Sequence, residues 1–173
     1  MKITVSGPPG SGTTTLAESI SSRFGLEHVS SGDVFRSMAR ERDLSLAEFG
    51  RVAEEDPEID REIDERQREI ARENDVIVLE GRLSGWMAEE ADLRVWLDAS
   101  LDVRAERVAE REGQTPEEAR DEIEEREASE SRRYKEIHGI DIEDLSIYDL
   151  VVDTSTWDKD GVAEITATAV ERL

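Results

Sequence analysis

The sequence predicts an α/β protein, a five-stranded parallel sheet with helices on both faces. Three observations carry this. Five short segments read as strands along the chain, at 3–5, 26–30, 76–79, 93–97 and 150–152, with apolar residues concentrated in short blocks. The run Val76-Ile77-Val78-Leu79 is apolar without a break, as in a strand buried on both faces. Helix-forming stretches separate the blocks, and strand–helix alternation of this kind builds a parallel sheet.

The elements follow in order. The first strand runs into Gly7-Pro8-Pro9-Gly10-Ser11-Gly12, and a helix is predicted over 13–24. The second strand ends at Ser30. Ser45-Leu46-Ala47-Glu48 and Thr115-Pro116-Glu117-Glu118 are capping boxes, the second with proline at the first helical position. Asp56-Pro57 opens a helix predicted to reach about residue 74, with Glu62–Arg66 and Asp64–Arg68 paired across one turn. Only Ile59, Ile63 and Ile70 give it an apolar stripe, so it is expected to be thinly covered and movable. The acidic run over 117–127 reads as a solvated face. No internal repeat and no Gly/Ser or Pro linker interrupts the 173 residues, and one domain is expected.

Composition narrows the classes. Lys plus Arg is 22 against 44 Asp plus Glu, a net charge of −22. Such a surface repels nucleic-acid polymers and anionic membranes. No cysteine is present, which excludes disulfides, thiolate metal sites and thiol nucleophiles. His28 and His138 make no metal-ligand spacing. No 18-residue apolar run exists, and residues 1–6 are too poor in apolar side chains for a signal peptide. A cytoplasmic monomer is expected. Leu, Ile, Val and Phe total 40 residues, just above the roughly one-fifth share below which highly charged chains stay disordered. Arginine outnumbers lysine 19 to 3. Acid excess with scarce lysine resembles the proteins of extreme halophiles; the alternative is an ordinary acidic protein with solvated charged helices.

Gly7-Pro8-Pro9-Gly10-Ser11-Gly12-Thr13-Thr14 fits the phosphate-binding P-loop pattern except that Thr13 stands where lysine is usual. The glycines let the loop curl so that backbone N–H groups face phosphate oxygens, and the following helix adds its positive N-terminal end. The ATP-binding expectation covers these eight residues and Thr15, with the Thr14 hydroxyl on Mg²⁺. A second segment, Val29-Ser30-Ser31-Gly32-Asp33-Val34-Phe35-Arg36, has small residues for close ligand approach and an arginine one turn past Gly32.

Here the sequence resembles nucleoside monophosphate kinases, where a comparable segment holds the acceptor nucleotide. Leu79-Glu80-Gly81-Arg82-Leu83-Ser84-Gly85-Trp86, the run from Arg132 to Asp141 and that from Asp144 to Leu150 are similar to the archaeal type of cytidylate kinase. The resemblance covers nearly the whole chain. It implies a P-loop three-layer fold with an acceptor flap over about 33–74 and a lid over about 112–139. It implies transfer of the γ-phosphoryl group of ATP to CMP or dCMP with Mg²⁺. The implied acceptor residues are Ser31, Gly32, Asp33, Arg36, Gly81 and Arg82; the implied catalytic cations are Arg126, Arg133 and Arg107. Asp33 is a further candidate for the metal, through water, and Glu80 is either a metal-shell carboxylate or a loop cap. Some members of this group carry threonine at the lysine position, so another cation must supply that charge. The bacterial Gly-Arg-Asp element reads Gly81-Arg82-Leu83 here, which leaves the groups that read cytosine unplaced.

Clustered arginines fit that chemistry, because phosphoryl transfer between two nucleotides assembles several negative charges that guanidinium groups can offset. Arg126, Glu130 and Arg133 are spaced four and three, on one helical face, and so are Arg104, Arg107 and Arg111. Arg104 and Arg111 read as surface partners of carboxylates. The competing functions are a P-loop kinase of another monophosphate such as AMP, and a nucleotide-binding module that lost catalysis with the lysine.

Overall fold

The computed structural model of the chain describes residues 1–173, apart from the side chains at 46, 47, 54 and 55. The strands are β1 (Lys2–Ser6), β2 (Glu27–Ser30), β3 (Ile77–Glu80), β4 (Leu93–Asp98) and β5 (Leu150–Asp153). They form one sheet in the order β2-β3-β1-β4-β5, every pair parallel. Apolar residues on both faces explain the unbroken runs. Ile3, Val5, Val78, Val95, Leu97 and Val152 turn to one face, against α1 (Thr13–Phe24) and α8 (Lys159–Val170). Leu79 and Trp96 turn to the other, Leu79 beside Ala71 of α4 (Pro57–Glu73) and Trp96 beside Met87 of α5 (Ser84–Met87).

The capping chemistry predicted from sequence is present. Ser45 and Glu48 open α3 (Leu46–Glu55), and Thr115 and Glu118 open α7 (Pro116–His138), each by reciprocal side-chain-to-backbone bonds. A third capping box, Ser30 with Asp33, starts α2 (Ser31–Glu41) directly at the end of β2. Met38, Phe49 and Ile59 bring α2, α3 and α4 together in a small core of their own. α7 docks on α6 (Leu101–Glu112) through Ala105, Val108, Ala109, Ala119 and Ile123.

The expectation of a thinly covered α4 is corrected. Beside Ile59 it buries Asp64, Gln67 and Ala71, a mostly polar second face. Polar side chains can be buried when other elements supply partners, and a count of apolar residues misses such a face.

The acidic composition, read as that of a halophile protein, has a testable stability consequence. At about 1 M salt the Debye length falls to about 3 Å, and repulsion within the carboxylate excess is screened. The melting temperature is therefore expected to be higher in molar than in dilute KCl. A temperature that does not move between the two would reject the halophile reading in favour of an ordinary acidic surface.

Candidate active site

The loop between β1 and α1 curls as its sequence requires. Gly10 and Gly12 have φ of 83° and 97°, in the region where a side chain is strained. Ser11 N–H donates to the Pro8 carbonyl at 3.1 Å. The hydroxyls of Thr13 and Thr14 both donate to Glu80 Oε1, at 2.9 and 2.8 Å, so the end of β3 lies against the start of α1. Glu80 is buried, and its Oε2 lies 3.1 Å from His28 Nε2. Thr15 lines a cleft of about 210 Å³ with Arg107, Thr154 and Trp157, whose ring is 52% exposed.

Arg107 is braced rather than free. Its Nη1 donates to Thr154 Oγ1 at 2.9 Å and to the Gly10 carbonyl at 3.2 Å, and its Nη2 donates to the Thr154 carbonyl at 2.7 Å. Thr154 in turn donates to the Ser11 carbonyl at 2.9 Å. Arg111 lies on the surface beside Glu112, as expected. Arg104 does not. It is buried with 7% of its surface exposed, donating from Nε to Ala99 O at 3.0 Å and from Nη1 to Pro9 O at 3.3 Å and Glu127 Oε1 at 2.8 Å. The surface expectation fails because α7 folds over α6 and brings Glu127 onto it.

A second cleft, of about 790 Å³, is walled by α2, α3, α4, α7 and the segment after β3. Ser31, Gly32, Arg82, Arg126 and Arg133 line it. Arg36 lies beside Gly32 and is held at 2.6 Å by Asp33 Oδ1. That ion pair, with bonds from Ser30 N and Oγ to the same carboxylate, pulls the Asp33 pKa down to about 2. Gly81 packs against Ser31: a Cβ there would meet the Ser31 hydroxyl at 3.1 Å.

The cations of the cleft are assembled by acids. Glu130, 4% exposed, accepts from Arg82 Nε at 2.7 Å and from Arg126 Nε at 2.8 Å. Arg133 donates to Asp60 of α4, and His138 Nε2 lies 2.6 Å from Asp64 Oδ2. Burial pushes the carboxyls of Asp60 and Asp64 upward, while Arg133 and His138 oppose that shift. Arg82 Nη1 and Arg133 Nε are buried with no hydrogen-bond partner among the described residues. Buried donors of this kind are costly to leave unpaired, so an anion in the cleft is their natural complement.

Sequence reasoning missed Asp60 and Gln67, the burial of Arg104, and the contacts of His138 with Asp64 and of Thr154 with Arg107 and Ser11. A signal existed for α4: residues 60, 64 and 67 are spaced four and three, on one helical face.

The description "Cytidylate kinase-like family" belongs to the family profile that matches residues 2–156. Cytidylate kinase of Halobacterium salinarum is 54% identical over 172 residues, covering 99% of this chain and 90% of that protein. Cytidylate kinase of Pyrococcus furiosus is 56% identical over 171 residues, covering 99% and 88%. Among solved structures, shikimate kinase from Bacteroides thetaiotaomicron superposes with a TM-score of 0.64 at 15% identity over 99% of this chain and 98% of that one, a likeness of fold. With the parallel sheet, the P-loop and the arginine-lined cleft in place, these matches make the chain a P-loop kinase and a member of the cytidylate kinase-like family.

Proposed function

We propose that the chain transfers the γ-phosphoryl group of ATP to CMP or dCMP, giving ADP and CDP or dCDP. The observation that carries this reading is the pair of unpartnered buried guanidinium nitrogens, Arg82 Nη1 and Arg133 Nε, in a cleft whose Gly81-Arg82 wall follows directly on Glu80, the residue that Thr13 and Thr14 of the P-loop bond. A module that only bound ATP would have no use for cations around a transferred group.

The P-loop from Gly7 to Thr14, with Thr15, cradles the ATP phosphates through backbone N–H groups. Arg107 and Trp157 flank the donor cleft. Arg36 and Arg82 take the acceptor phosphate, beside Ser31, Gly32 and Gly81. α2 to α4 act as the acceptor flap, α7 as the lid, and the chain works as a monomer. Lid closure brings Arg126 and Arg133 onto the transferred group.

A monophosphate oxygen attacks the γ-phosphorus and the bond to the ADP oxygen breaks. The acceptor oxygen is already anionic, so no strong base is needed, and catalysis rests on positioning and charge. Mg²⁺ would be held by hard-oxygen donors, the Thr14 hydroxyl and the Glu80 carboxylate, which lie 2.8 Å apart, and would offset negative charge on the ATP phosphates. Asp33, also a candidate through water, has its carboxylate occupied by Ser30 and Arg36 and serves better as the group that orients Arg36.

An assay of ADP production with CMP, dCMP, UMP and AMP tests the reading. The highest kcat/KM is expected for CMP or dCMP. A preference for AMP or UMP would make it another monophosphate kinase, and ATP binding with no acceptor turned over would make it a binding module.

Thr13 has its own test. Its side chain carries no charge, so the β- and γ-phosphates lack the usual lysine. Arg133, with a free buried Nε, is the candidate substitute. Thr13→Lys should be tolerated, since the new ammonium stands beside Glu80, and it should recover about 1 kcal/mol or more of the kcat lost in Arg133→Ala. Strict additivity, in cycles with both Arg133→Ala and Arg126→Ala, would move the role to Arg107.

A further inference from the structure

We propose that Gln67 and Asp64 read the base of the acceptor, selecting a pyrimidine with an exocyclic amino group over one with a carbonyl at that position. The inference rests on the acceptor reading above and assigns the part of it that the resemblance leaves open. Gln67 is 2% exposed, lines the larger cleft, and keeps its Oε1 buried with no hydrogen-bond partner among the described residues. It is not a stray core amide. A Cβ built on Gly81 would meet Gln67 Oε1 at 3.3 Å and Ser31 Oγ at 3.1 Å, so all three sit together where β2 and β3 end. That is the floor between the two segments expected to hold the acceptor.

Asp64 lies one turn before Gln67 and faces the same cleft. His138 occupies its Oδ2. An ionised carboxylate has about four lone-pair sites and no donor, so it can accept from a second group as well. Asp60, the remaining acid of this face, is taken by Arg133. The cleft thus presents a side-chain carbonyl and a carboxylate, two acceptors on adjacent turns. The 4-amino group of cytosine carries two N–H donors and satisfies both. The O4 of uracil has none, and its lone pairs would face theirs. Sites built to bond a substrate N–H discriminate strongly against analogues that lack it, because the buried acceptors are then left unpaired.

The test compares kcat/KM for CMP and UMP at saturating ATP in the intact protein, Gln67→Met and Asp64→Asn. Methionine keeps the length of the side chain and removes the carbonyl; asparagine keeps the shape and adds a donor suited to O4. Each variant is expected to lose about 10- to 100-fold for CMP, carried by KM, with the CMP/UMP ratio falling at least about tenfold. The KM for ATP should stay in place. Equal losses for CMP and UMP would reduce both residues to structural supports and overturn the proposal.

Should either variant fail to fold, the unmodified protein is assayed with a cytidylate analogue bearing hydrogen in place of the 4-amino group. A loss of about 10- to 100-fold supports the proposal, and turnover equal to CMP overturns it. If the unmodified protein prefers AMP or turns over no acceptor, the acceptor reading fails before any variant is made. If it prefers CMP and the ratios do not move, only this inference fails.

Discussion

Arg82→Ala is expected to lower kcat/KM for the acceptor by about 10- to 150-fold, the range of a lost charge-assisted hydrogen bond of about 1.5–3 kcal/mol. The loss should fall on the acceptor KM more than on that for ATP, because Arg82 lines the larger cleft and not the smaller one at Thr15. Its Nε is held by Glu130 at 2.7 Å while its Nη1 is buried without a partner, so one end of the fork is anchored and the other is left for a ligand. Arg82→Lys should recover only part of the activity, since a single ammonium cannot hold Glu130 and an acceptor phosphate in the same geometry. Acceptor kinetics within about threefold of the unmodified protein in Arg82→Ala would remove Arg82 from the site.

Arg104→Ala is expected to cost about 2–3 kcal/mol of stability, less than the roughly 3–5 kcal/mol of a broken, fully buried ion pair because Glu127 keeps some contact with water. At this chain length about 1 kcal/mol moves the melting temperature by roughly 2–4 °C, so a fall of about 5–10 °C should be seen. Arg104 joins three places: the end of β4 at Ala99, the P-loop at Pro9 and α7 at Glu127. A Cβ on Gly10 would lie 2.8 Å from the Arg104 carbonyl oxygen, so the loop also rests on the backbone of α6 at this point. The KM for ATP should therefore rise with the loss of stability. Arg104→Lys should fail to restore it, since one ammonium cannot span the separate acceptors that the guanidinium reaches with its Nε and Nη1. An unchanged melting temperature in Arg104→Ala would show that the three contacts add nothing net.

Local chemistry made much of this molecule legible in its sequence. The apolar runs at 76–79 and 93–97 are strands because a parallel sheet is covered on both faces. Gly10 and Gly12 are glycines because the loop needs positive φ. Ser45 with Glu48 and Thr115 with Glu118 mark helix starts by capping, a property of four consecutive residues. The P-loop pointed to phosphate binding by the same local logic, and the resemblance of the Ser31-Gly32-Asp33 segment and the α7 arginines to nucleoside monophosphate kinases extended that to phosphoryl transfer. What the sequence did not decide was which charges meet. Arg104 and Arg111 look alike on one helical face, yet one is buried between the P-loop and Glu127 and the other lies in solvent. Glu130 pairs with Arg82, 48 residues away, and Asp64 with His138, 74 residues away. Spacing reports which side chains share a face of one helix. Only the packing of α7 over α4 and α6 settles which partners those faces meet, because the energy of a charge depends on its burial and its neighbours in space.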